Sequence, residues 1–196
     1  ALPEDAKLDN QLNIIPEVYG YGFDVEVLQK RIDNAKYGES IQIPLGFLMP
    51  QITEKDLSEN VLPDILVEYI CSNPKATAEW IHNMTLACEA INGTVVNAGE
   101  AFSFNQLLGR ISETNGFKKA PGYSKGMETM VLGAGVEQVA SALYYCALMC
   151  DFTIVDRHNN GYAVDYIGLG LDAYINGSQD LRFSNTSEFP IRINAT

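Results

Sequence analysis

The run Leu132-Gly133-Ala134-Gly135 opens directly onto Val136 to Cys150, a stretch interrupted only by Glu137, Gln138, Ser141 and two tyrosines. A helix that is apolar nearly all round has to be buried, so it forms the centre of whatever the chain builds. The small residues before it permit a tight turn and leave the first helical amides without partners. Such a helix start carries positive potential and suits anions or activated nucleophiles. Glu137 stands at that entrance, with Gln138 beside it.

Short β-rich segments follow the helix, at Phe152 to Val155, Tyr162 to Ile167, Ala173 to Ile175, Leu181 to Phe183 and Ile191 to Ile193. Turns carrying Asn159-Asn160-Gly161 and Asn176-Gly177 separate them, which predicts hairpins in an antiparallel sheet. Upstream, Thr77 is a cap for a helix through Asn92, with Trp80 or Ile81, Met84, Cys88 and Ile91 at helical spacing and Gly93 as its stop. The stretch from Asn97 to about Met130 reads as loops able to wall a cleft. The expected class is α+β, a buried central helix packed on an antiparallel sheet, over residues 71–196.

Residues 1–70 read as a separate small α+β region. Asp24 caps a helix through about Lys36 with Val25, Leu28, Ile32 and Ala35 on its inner side, a short strand follows around Ile41 to Pro44, and Thr53 caps a second short helix. Pro63 and then Cys71-Ser72-Asn73-Pro74 mark the join.

A net charge of −12, with Lys118-Lys119 the only adjacent basic pair, excludes the concentrated cationic face that nucleic acid requires. Two histidines and four cysteines without C-x-x-C spacing predict no metal site, and nothing calls for a cofactor. Cys71, Cys88, Cys146 and Cys150 read as thiols packed like small hydrophobes. No apolar run approaches the ~20 residues of a spanning helix. The first residues lack a secretory signal's pattern, so any leader or anchor is expected outside this stretch.

Ile91-Asn92-Gly93-Thr94-Val95-Val96-Asn97-Ala98-Gly99-Glu100-Ala101-Phe102-Ser103-Phe104-Asn105, followed by Gly109, matches a pattern of the VanW family, roughly LNGxVLxPGExFSFNxxxG, with Ala98 replacing the usual proline. Asp156-Arg157-His158-Asn159-Asn160-Gly161-Tyr162 and Gly170-Leu171-Asp172-Ala173 match two later blocks, so Ile91 to Ala195 resembles that family over about half the chain. The family pattern at the glycine turn is approximately GGGxCQ. Its cysteine position holds Glu137 here, its histidine aligns best with Asn160, and an arginine usual near the start of the preceding helix is Trp80. Residues Asp24 to Leu57 are similar to the small peptidoglycan-binding domain that often precedes VanW domains.

The resemblance implies a cell-envelope or extracellular protein of a bacterium, with peptidoglycan or its peptide stems as partner. The family order of cysteine at a helix start, histidine at a strand start and a later acid resembles that of thiol peptidases, in which the helix and an imidazolium favour the thiolate. Glu137, Asn160 and Asp172 occupy those positions, so two of the three groups cannot perform that chemistry. The implied cleft comprises Glu137, Gln138, Asn160, Asp172, Arg157 and His158. Three readings follow: a degenerate, non-catalytic peptidoglycan-binding module; a hydrolase or transferase using Glu137 and Asp172 as a carboxylate pair; or a structural surface protein with a vestigial cleft. A carboxylate at a helix start is expected to be held ionised, which suits a base but not an acid.

Overall fold

A computed structural model describes residues 1–43, 45–59, 61–124 and 127–196. It is a mixed α+β structure dividing into two compact units, Ala1–Val61 and Leu62–Thr196. The sequence boundary of about residue 70 lies a little inside the second.

The first unit contains two small antiparallel ribbons, β1 (Lys7–Leu8) with β2 (Ile14–Ile15) and β3 (Gly20–Phe23) with β4 (Leu45–Leu48). Tyr21 faces Phe47 and Phe23 faces Leu45, while Gly22 faces Gly46. This register puts Tyr21, Phe23, Leu45 and Phe47 on one face and Leu48 on the other against Gly22, and it puts the strand downstream of the expected Ile41 to Pro44; Pro44 itself lies outside the described residues. Between the two strands, α1 (Val25–Asn34) is capped by the Asp24 carboxylate, which accepts from the Val27 amide at 3.0 Å. The helix buries none of its residues, Val25 being 68% and Ile32 49% exposed. Its expected inner face is therefore not a core face, because periodicity reports what a helix is able to bury, not what covers it. In α2 (Glu54–Glu59), Thr53 Oγ1 accepts from the Asp56 amide at 3.3 Å while Asp56 Oδ2 accepts from the Thr53 amide at 2.9 Å. That reciprocal cap starts the helix, and its Leu57 is buried.

The second unit is built on α3 (Ala78–Ile91) and α5 (Val136–Met149), packed together. Between them run β5 (Val95–Val96), β6 (Ala101–Ser103), α4 (Phe104–Leu108), and the hairpin of β7 (Lys119–Ser124) with β8 (Met127–Leu132). The segment expected as loops thus contains two paired strands, opposed over six residue pairs, of which alternate pairs exchange backbone hydrogen bonds. After α5 come β9 (Thr153–Asp156), β10 (Arg182–Ser184) and β11 (Ile191–Arg192). β10 lies between β6 and β9 in an antiparallel sheet, and β11 pairs with β5. Phe183 of β10 stacks between Phe102 and Phe152, at ring separations of 4.9 and 5.8 Å, and this layer joins Ala87, Ile91, Val136, Val139 and Ala140 in one core.

Two expected strands are absent. Tyr162 to Ile167 forms bends, and Ala173 to Ile175 contributes only a single bridge between Tyr174 and His158. The Arg157 guanidinium takes the carbonyls of Gly170 and Asp172, so backbone that a ladder needs is committed to a side chain. The result is an irregular loop system, 157–172, beside the start of α5.

Candidate functional site

The turn before α5 is shaped by what glycine lacks. Gly135 has φ +107°, and a Cβ there would meet the Trp80 carbonyl oxygen at 2.8 Å; Gly133 has φ +78°, and a Cβ there would meet Ile111 at 2.5 Å. The fully buried Asn83 of α3 locks the turn from behind. Its Nδ2 donates to the carbonyls of Ala134 and Lys118 at 2.9 Å, and its Oδ1 accepts from the Lys118 amide. Asn83 escaped the sequence reading, although its place four residues before Ala87 and eight before Ile91, on the buried stripe of α3, was a usable signal.

Gln138, also fully buried, points into a second strut. Its Oε1 accepts from Trp80 Nε1 at 3.1 Å and its Nε2 donates to Cys71 Sγ at 3.4 Å, while Cys71 Sγ donates to the Tyr166 carbonyl. This arrangement ties α5 to α3 and to the loop system, and Gln138 is used up in it. Burial pushes the Cys71 thiol up, as it does the other three cysteines, so none offers a ready thiolate.

Asp172 organises the loop corner. Its Oδ1 accepts from the Arg157 guanidinium at 2.9 Å, and its Oδ2 accepts from the Asn160 backbone amide at 2.5 Å and from Asn160 Nδ2 at 3.1 Å. Arg157 also donates through Nε to the Asp172 carbonyl and lies 5.0 Å over the Tyr144 ring. A partly buried ion pair is tolerated when further hydrogen bonds satisfy its members, and here both oxygens of Asp172 and the Nε and Nη2 of Arg157 have partners. Asn160 is 5% exposed, yet its Oδ1 has no hydrogen-bond partner. Flipping the amide would set that oxygen against the Asp172 carboxylate, so the orientation is fixed and the orphan stays. Such an acceptor costs about 1–3 kcal/mol.

Glu137 is half-buried and its carboxyl accepts no hydrogen bond among the described residues. Loss of solvent, reinforced by the Asp172 charge, pushes its pKa up to about 7. The expectation that the helix start holds it ionised is overturned: desolvation outweighs the helix ends' fractional charge. The charge of Glu137 in turn acts on Tyr162, pushed up chiefly by burial to about 12, and on Tyr166, raised further. The buried Tyr166 hydroxyl makes no well-formed hydrogen bond among the described residues; its nearest candidate is Ser141, which gives its own proton to the Glu137 carbonyl, accepts from the Ala173 amide and keeps one acceptor site.

A pocket of about 350 Å³ opens in the loop system, lined by Arg157, Asn160, Tyr162, Ile167, Asp172 and their neighbours. Tyr123 of β7 reaches its rim and packs on Tyr162 at 5.2 Å. Glu137 is not among the lining residues but lies within electrostatic reach of Asp172, Tyr162 and Tyr166. His158 turns elsewhere, its Nε2 2.9 Å from Asp156 Oδ1. Thus Asp172 is in direct contact with Asn160 and Arg157, Glu137 feels the charge of Asp172, and Gln138 and His158 serve other neighbours. Among the described residues no cluster of His, Cys, Asp or Glu is arranged to hold a metal ion.

An α+β domain with a carboxyl at a buried helix start, facing a loop corner organised by an aspartate, is the class that this fold and site define. A family model described as VanW like protein matches residues 79–196, and the chain belongs to that family. It is similar to the uncharacterized protein YoaR of Bacillus subtilis (29% identity over 98% of this chain) and to the vancomycin B-type resistance protein VanW of Enterococcus faecalis (28% over 70%). The matched stretches span 65% and 55% of those two relatives' own lengths. No solved structure matches the chain significantly.

Proposed function

We propose that this chain is a cell-envelope module that binds peptidoglycan or its peptide stems in the pocket at Arg157, Asn160 and Asp172, without thiol catalysis. The observation carrying this reading is the contact between Asn160 Nδ2 and Asp172 Oδ2. In a thiol enzyme an acid holds the imidazole in this manner; here the acid holds an amide that cannot shuttle a proton, opposite a carboxyl that cannot replace a thiolate. What remains is a shaped, polar, partly unsatisfied pocket, which is the equipment of a binding site. The likeness of Asp24 to Leu57 to a peptidoglycan-binding domain, and membership of a family that includes a vancomycin resistance protein, support the wall as the partner.

Co-sedimentation with purified sacculi, followed by mass spectrometry of the muropeptides, tests the proposal. The expected result is retention of the protein on sacculi with no new muropeptide. Failure to sediment removes the binding reading.

The carboxylate-pair enzyme has one observation in its favour: Glu137, with its pKa near 7, is able to carry a proton at neutral pH. Against it, both oxygens of Asp172 are already occupied by Arg157 and Asn160, leaving a poor base or nucleophile. New muropeptides that vanish in Glu137→Gln would decide for this reading.

A further inference from the structure

The site has a surplus of acceptors and of negative charge. Arg157 is committed to Asp172 and to two backbone carbonyls. Among the described residues the only charge acting appreciably on Glu137 is that of Asp172, so no cation balances it. Asn160 Oδ1 is buried, unpartnered and held in place by the two bonds from the same residue to Asp172. The Tyr166 hydroxyl, which feels the Glu137 charge, is a second buried group, with only Ser141 near it and no well-formed hydrogen bond among the described residues. A ligand complementary to this set brings several N–H donors and one positive charge. An ammonium group has three donors and that charge; a carboxylate or a sugar hydroxyl supplies neither the charge nor the donor count.

The geometry points to a primary amine as the recognised group: a cationic side-chain ammonium, of the kind a diamino acid in a wall peptide carries, seated at Asn160 Oδ1 in the wall of the 350 Å³ pocket, where the charges of Asp172 and Glu137 add up. This rests on the peptidoglycan reading for its source, but the recognition chemistry stands separately. Tyr162 and Tyr123 at the rim pack against the aliphatic stem that bears the amine.

The test is NMR titration of the full chain with Nα-acetyl-lysine methylamide and, in parallel, with its Nε-acetylated counterpart, alongside sedimentation with sacculi whose free amines are either intact or acetylated. The free amine should bind at least tenfold more tightly than the acetylated probe and shift the Asn160 side-chain amide. Glu137→Gln should weaken it tenfold or more. Affinity should rise between pH 6 and pH 8 as Glu137 ionises, with Asp172, Arg157, Tyr162 and Tyr166 the other ionisable groups facing it. Equal affinity for the two probes overturns the inference on the unmodified chain, whatever Glu137→Gln does to folding. Sacculi bound equally well after acetylation overturn the amine but leave the peptidoglycan reading. Amine binding without sacculus binding does the reverse, and loss of both overturns both.

Discussion

Two carboxyl groups lie within electrostatic reach of one another, Glu137 at the start of α5 and Asp172 in the loop corner, and their surroundings differ in almost every respect. Asp172 accepts three hydrogen bonds from side chain and backbone and is paired with a guanidinium, whereas Glu137 accepts none and answers chiefly to the charge of Asp172. The first corner is finished as a structure; the second is left open. A finished carboxylate stabilises the fold that encloses it, and an open one burdens the fold until something else arrives.

The comparison breaks most readily at Asp172. Asp172→Ala takes the carboxylate from the partly exposed Arg157 and from the buried Asn160 amide, and urea unfolding should register a loss of about 3–4 kcal/mol. A loss below ~1 kcal/mol would mean that water readily replaces the carboxylate and the corner is not closed.

Glu137→Gln should act in the opposite direction. The folded-state pKa of about 7 lies above the ordinary 4.5, so the folded chain binds more protons than the unfolded one between those values. Stability therefore falls as pH rises through that window. Gln carries no charge to lose, so the variant should exceed the parent by something on the order of 2–3 kcal/mol at pH 8, with the gap closing towards pH 4. Thermal melts across pH 4 to 8 measure this, and a pH-independent difference would contradict it.

The relation of positions 137 and 160 is sharpened by thiol chemistry. Glu137→Cys alone has only the helix start to favour its thiolate, while Glu137→Cys with Asn160→His adds an imidazole braced by Asp172. Iodoacetamide alkylation against pH should give the double variant a thiol pKa lower by about one unit. The smallest effect belongs to Tyr144→Leu, which removes the ring beneath Arg157 and should cost about 0.5–1 kcal/mol. No change there would assign the Asp172 corner wholly to its hydrogen bonds.

Helix positions were legible because their signals are local: Asp24, Thr53 and Thr77 each cap the helix they precede, and the glycine turn opens α5. The stretch from Tyr162 to Ile167 is rich in β-formers, but pairing depends on which backbone groups remain free, and Arg157 holds the nearby carbonyls of Gly170 and Asp172. That is information about distant residues, invisible in a window of six. Residues 137, 160 and 172 could be named from the family pattern alone. The bond between Asn160 and Asp172, the desolvation that reverses the expected ionisation of Glu137, and the bracing by Asn83 required the fold, because each depends on packing between segments dozens of residues apart. The inner face expected for α1 shows the converse limit: its stripe is real, yet its burial depends on neighbours that periodicity does not describe.

The turn at Gly133 to Gly135 has an evolutionary consequence. Position 135 admits no side chain against Trp80, and Asn83 grips the carbonyl of Ala134, so the backbone here has almost no freedom to drift. Position 137 itself projects one exchangeable side chain from that rigid mount. One substitution at position 137 therefore exchanges the group offered at the helix start and touches none of the residues that hold the turn. The shape of such a domain and the chemistry it presents are open to change separately.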